Sequence, residues 1–130
     1  MRLLRLDHVQ LAIPPGGETE ARNFYVGVLR MREIVKPEPL AARGGCWFVA
    51  GDVQLHVGID PDFRAARKAH PAFIVEGLGE LLARCSDAGF PTDSDVAVGP
   101  YTRGFVFDPF GNRIELMEVA PPSEGADGIA

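Results

Sequence analysis

The side chains of this sequence best suited to chemistry are few: three histidines, His8, His56 and His70, and one carboxylate, Glu115, set between Ile114 and Leu116. Imidazole nitrogens and carboxylate oxygens are donors that first-row divalent metals accept, and the same groups carry protons near neutral pH. On an extended segment, alternation sends the Glu115 carboxylate to one face and both aliphatic neighbours to the other. A carboxylate in that setting needs a partner, which a water-lined groove, a base or a metal ion would supply. Arg103 and Arg113 are the basic residues close by in sequence. Cys46 and Cys85, without Cys-x-x-Cys spacing, read as buried free thiols with no assigned chemistry.

These groups must be brought together by the elements that carry them. Residues 105–119, FVFDPFGNRIELMEV, have the clearest pattern, a β-hairpin. An apolar arm leads to Asp108-Pro109-Phe110-Gly111-Asn112, where Pro fixes φ and Gly admits positive φ, and the second arm bears Glu115. Upstream, residues 3–13 alternate as a strand, with Val9, Leu11 and Ile13 on one face and His8, Gln10 and Ala12 on the other. Pro14-Pro15-Gly16-Gly17 stops it, and Ala21, Phe24, Tyr25, Val28 and Leu29 then fall at helical spacing. A short strand at 32–35, a loop rich in Pro and Gly, a strand at 46–49, a turn at Ala50-Gly51-Asp52 and a returning strand at 53–59 complete a β-α-β-β-β unit. On the last of these, Gln54 and His56 share a face opposite Val53 and Leu55.

The cycle then begins again. A polar linker, 60–68, holds Arg64, Arg67 and Lys68; a strand is expected at 69–75, a helix from Leu78, Leu81, Leu82 and Cys85 with Gly89 as its C-cap, and a weaker strand at 95–98 before the hairpin. His8 and His70 open matching strands 62 residues apart (70 − 8), and Gln54 falls on Glu115 at 61 (115 − 54) when the second turn is allowed two more residues. Offsets this close from opposite ends of the unit point to duplication. The predicted fold is α+β: two tandem β-α-β-β-β modules, 1–59 and 69–119, forming a curved mixed sheet around a cleft, with 120–130 as a loose tail. His8, His70, Glu115 and either Gln54 or His56 would line that cleft. Arg64, Arg67 and Lys68, just ahead of His70, hint at an anionic substrate near the site.

Composition narrows the partners. A chain of 130 residues with 46% hydrophobic content supports a real core, and a net charge of −5 with no Lys/Arg block argues against a general nucleic-acid or anionic-membrane binder. No apolar run reaches the length of a membrane span, and the first residues lack the pattern of a secretory signal, so the expected location is the cytoplasm.

The segments LDHVQLAI, NFYVGVLRM, GDVQLHVG, AHPAFIV and FVFDPFGNRIELMEV together resemble the vicinal oxygen chelate superfamily, which includes glyoxalase I, extradiol dioxygenases and fosfomycin- and bleomycin-resistance proteins. The resemblance covers roughly residues 3–119. It implies a divalent metal ion (Zn, Ni, Co, Mn or Fe) held by His8, Gln54, His70 and Glu115, with Glu115 and His56 as candidates for proton transfer. It further implies a lyase or isomerase of the glyoxalase-like type acting on a small molecule that chelates the ion through vicinal oxygens, in a homodimer. Gln54 stands where glyoxalase I members usually carry a carboxylate, which sets this chain apart from them. Two alternatives share the resemblance: a non-haem Fe(II) dioxygenase, for which two histidines and one carboxylate are the ligand set, and a metal-free binding protein of the bleomycin-resistance type.

Overall fold

The alternation of each half becomes a four-stranded mixed sheet with one helix. The computed structural model describes residues 1–120. Module one comprises β1 (Val9–Ile13), α1 (Glu18–Tyr25), β2 (Arg32–Ile34), β3 (Cys46–Ala50) and β4 (Val53–Ile59); module two comprises β5 (Ala72–Ile74), α2 (Leu78–Asp87), β6 (Thr92–Val98), β7 (Tyr101–Phe107) and β8 (Arg113–Val119). Sheet order is β1-β4-β3-β2 in the first and β5-β8-β7-β6 in the second, with the first and last strands of each module parallel and the other pairs antiparallel. The two tandem β-α-β-β-β modules are as expected. The tail, apart from Ala120, lies outside the described residues.

Several boundaries differ from the sequence expectation, each for a physical reason. Only Val9–Ile13 pairs as β1, because its partner β4 begins at Val53, just after the turn at Gly51 and Asp52, and leaves residues 3–6 without a neighbour. Leu3, Leu4 and Leu6 are consequently exposed. Regular α1 stops at Tyr25 although the apolar spacing runs to Leu29: Gly27 and Leu29 donate to carbonyls five residues back, and Arg30 takes a positive φ of 62° that turns the chain toward β2. Pro71 shortens β5, since it has no N–H for a ladder, though its carbonyl still accepts from the Glu115 N–H. β6 is longer than its signal at 95–98, because nearly all of its residues are exposed and no face carries an apolar row.

One buried cluster serves both modules. Ile13, Phe24, Phe48 and Leu55 from the first pack with Leu78, Cys85, Val106, Ile114 and Leu116 from the second, and Phe24 meets Phe90 edge-on at 4.8 Å. The hairpin turn of module two also bonds directly into module one. Asp108 is buried; its Oδ1 accepts from the N–H groups of Phe110 and Asn112, and its Oδ2 from the Tyr25 hydroxyl at 2.7 Å and the Asn112 amide. Asn112 Nδ2 also donates to the Ala12 carbonyl of β1 at 2.9 Å. Burial, with Asp108 beside it, pushes the Tyr25 hydroxyl well above its ordinary pKa. Burial likewise raises both thiols, Cys46 to about 11. Among the described residues no helix is long and apolar enough to cross a membrane.

Candidate functional site

Strand register decides which polar side chains correspond between the modules. In module one the parallel pairing sets Gln10 opposite His56; in module two it sets Ala72 opposite Glu115. His8 and His70 each lie two residues before those positions, on the same face. The residue of module one that corresponds to Glu115 is therefore His56, and Gln54 corresponds to Arg113. This corrects the sequence alignment of Gln54 with Glu115. The parallel ladder fixes the last strand against the first, whereas the sequence alignment had only two turns of unequal length to work from.

The contacts repeat the same diagonal. His70 Nε2 lies 2.9 Å from Glu115 Oε1, and the His8 ring stacks on His56 with centroids 4.0 Å apart. His70 is tied at its other nitrogen, Nδ1, which donates to the Lys68 carbonyl at 2.7 Å. A neutral ring so tied has a lone pair at Nε2, facing a carboxylate oxygen; that contact calls for a cation between the two, a proton or, with the pair opened, a metal ion. Glu115 is buried, and its second oxygen accepts from Arg103 Nη1 at 3.2 Å. Arg103 is itself fixed, with Nη2 3.3 Å from Asp95 and Nε donating to the Val96 carbonyl. Both Glu115 oxygens are thus engaged.

Module one holds its pair differently. His56 is sandwiched between His8 and Trp47, the indole lying 4.1 Å away and nearly parallel at 5°. Trp47 pairs with His56 across the β3–β4 ladder, which puts both rings on one face. His56 Nε2 is buried with no hydrogen-bond partner among the described residues. Burial, with His8 close by, lowers the His56 pKa, so the ring is neutral at neutral pH. His8 is looser: its side chain is 39% exposed and its Nδ1 is 2.9 Å from Asp7 Oδ2. That bond lowers the pKa of Asp7.

Two cavities adjoin the histidines, the first within module one and the second between the modules. One, of about 480 Å³, is lined by His8, Gln54, His56, Trp47, Lys36 and Arg43; the other, of about 380 Å³, by His70, Arg64 and Arg113. Gln10 lines both, lying across Gly58, where a Cβ would come within 2.4 Å of its Nε2. Gln10 and Trp47 had no assigned role in the sequence reading, and both lie across from His56 in strand register, which is the signal that finds them; Arg103, a basic residue close to Glu115 in sequence, is the partner that its carboxylate needs. Among the described residues no three His, Cys, Asp or Glu side chains are grouped as a ready metal site. The two pairs stand on either side of Gln10.

Comparison with known proteins agrees with this architecture. Residues 5–116 match the family model described as the Glyoxalase/Bleomycin resistance protein/Dioxygenase superfamily. A glyoxalase family protein from Bacillus anthracis is 44% identical, with 92% of this chain and 98% of that chain covered and a TM-score of 0.86. A glyoxalase family protein from Enterococcus faecalis is 24% identical over 88% of this chain and 97% of that one, TM-score 0.69. The fosfomycin resistance protein FosX from Listeria monocytogenes shares the fold at 16% identity, over 90% of this chain and 94% of its own, TM-score 0.71. No curated protein matches the chain.

Proposed function

Because the chain belongs to the glyoxalase/bleomycin resistance protein/dioxygenase superfamily, we propose that it is a metal-dependent enzyme of the glyoxalase-like type, acting in the cytoplasm on a small molecule with two adjacent oxygens. His8, His70 and Glu115 would hold the ion. The observation that carries this reading is the His70–Glu115 contact, in which Nδ1 is committed to a carbonyl and Nε2 faces a carboxylate oxygen. When bound, a divalent ion would supply Lewis-acid stabilisation of an oxyanion developing on the substrate. His70 is oriented by Lys68, and Glu115 is restrained by Arg103 at the oxygen turned away from His70.

Proton transfer falls to His56. Stacked rings direct their ring nitrogens within near-parallel planes, so while His8 and His56 remain stacked they do not converge on one ion. His8, at the more exposed end, is able to swing; His56, fixed against Trp47, keeps a neutral ring and an unpartnered Nε2 for a substrate proton. Glu115 is a poorer base, since both of its oxygens already accept bonds. Gln54 would line the cavity beside His8 without taking the fourth ligand position.

Metal content of protein purified without added metal tests the reading. The native chain should retain close to one equivalent of a divalent ion, and His8→Ala and Glu115→Ala should lose it; equal content in all three overturns the proposal. The donor set of two histidines and one carboxylate also fits the Fe(II) dioxygenase alternative. Iron retention with substrate-dependent O₂ uptake would select it.

A homodimer belongs to the same proposal. Exposed Leu3, Leu4 and Leu6 supply an apolar surface for a second copy. Sedimentation should show a dimer, and L4E/L6E should shift it to monomer; a native monomer at micromolar concentration rejects this part.

A further inference from the structure

We infer that the substrate carries an oxyanion, a carboxylate or phosphoryl group, that binds between Arg113 and Arg64 beside His70. The inference rests on the proposed metal-dependent reading for the word substrate, but its geometry stands apart from any metal. The cavity of about 380 Å³ between β1 and the segment leading to β5 is lined by Arg64, His70, Arg113 and Gln10, and among the described residues no acidic side chain lines it. In a chain of net charge −5, a cavity walled by two guanidinium groups and no carboxylate is a selective feature rather than a consequence of composition.

The two arginines are placed in different ways. Arg113 opens β8 two residues before Glu115, and alternation puts it on the same face. Its guanidinium lies over the Phe105 ring, 3.9 Å from the centroid, a contact that holds the group flat and leaves its N–H edge available. None of the hydrogen bonds or ion pairs found among the described residues uses Arg113, in contrast to Arg103, whose donors are taken by Glu115, Asp95 and Val96. Arg64 lines the cavity from the linker and is exposed. Of the linker cations that drew attention in the sequence, Arg64 alone lines this space; Arg67 and Lys68 do not. A planar guanidinium with open donors suits the two oxygens of a carboxylate or phosphoryl group. Bound there, such a group would lie against His70 and bring the rest of a small molecule over Gln10 toward His8 and His56.

Calorimetric titration of the full chain with inorganic phosphate, and separately with acetate, tests this. Both titrations are run on protein stripped with a chelator and on protein with its metal restored. The stripped native chain should bind at least one of the two anions, and the preferred one tells phosphoryl from carboxylate. Arg113→Gln and Arg64→Gln should each weaken that binding about tenfold, the scale of losing one hydrogen bond to a charged group. Arg67→Gln should leave it unchanged. Arg64 is exposed in a linker, so its variant remains informative if Arg113→Gln impairs folding. Binding of neither anion, or affinity unaltered in both cavity variants, overturns the inference whatever the metal content proves to be. Binding that needs restored metal and ignores both arginines also overturns it, because the anion is then only a metal ligand.

Discussion

The two modules place a histidine just ahead of their first strand and then treat it in opposite ways. In module two, His70 is bonded at both nitrogens, and its partner Glu115 is bonded at one oxygen by His70 and at the other by Arg103. In module one, His8 and His56 touch only through ring faces, and a buried nitrogen of His56 has no partner. Duplication supplied matching positions; divergence made one half a hydrogen-bonded pair and the other a stack of aromatic rings. A locked pair suits holding something in place, and a stacked ring with an open nitrogen suits moving a proton.

The comparison is broken most severely at the lock. Arg103→Met should free one Glu115 oxygen and leave Asp95 unanswered, weakening metal affinity about 10- to 100-fold, as for other residues that orient ligands; titration with Co(II), followed by its visible absorption, reads this. Arg103→Lys should fail to restore it, because one ammonium does not span Glu115, Asp95 and the Val96 carbonyl. On the other side, Trp47→Ala removes one face of the His56 sandwich. It should leave Co(II) affinity near native while lowering stability by about 1 kcal/mol or more beyond the lost apolar area, measured by urea denaturation. If Trp47→Ala weakened the metal as much as Arg103→Met, the division of labour between the halves would be wrong.

The smallest effect concerns the shared core. Tyr25, Cys46 and Cys85 all have pKa values raised by burial, so the folded chain keeps protons that the unfolded chain releases above their ordinary values of 10.0 and 9.0. Their contribution to stability is present below about pH 9 and is lost as pH rises through the folded values. Urea midpoints should therefore be flat from pH 7 to 8.5 and fall beyond pH 9, and both thiols should resist a thiol-labelling reagent at pH 8 until the chain is unfolded.

Much of this was legible in the sequence because periodicity and turn chemistry are local. The hairpin at 105–119, the helix starts and the repeat of two modules all follow from residue spacing. What failed was long-range register. Assigning Gln54 as the counterpart of Glu115 required choosing where to place extra turn residues, and only the parallel ladder of β1 on β4 identifies His56 instead. Arg103 stood close to Glu115 as a possible partner, but its bonds to Asp95 and Val96 were not legible, since those residues come from a strand with no apolar pattern. Asp108 and Asn112 were read as turn formers, which they are, but their bonds to Tyr25 and the Ala12 carbonyl span 83 and 100 residues.

That turn has a consequence for how the two halves share their fate. By sequence it belongs to module two, yet two of its polar side chains are satisfied by groups in module one. A half cut away at the linker would lose these bonds and expose to water the apolar side chains that the shared cluster buries. The modules are therefore halves of one cooperative unit: the chain should melt in a single transition, and neither copy of the repeat is free to drift in sequence without the consent of the other.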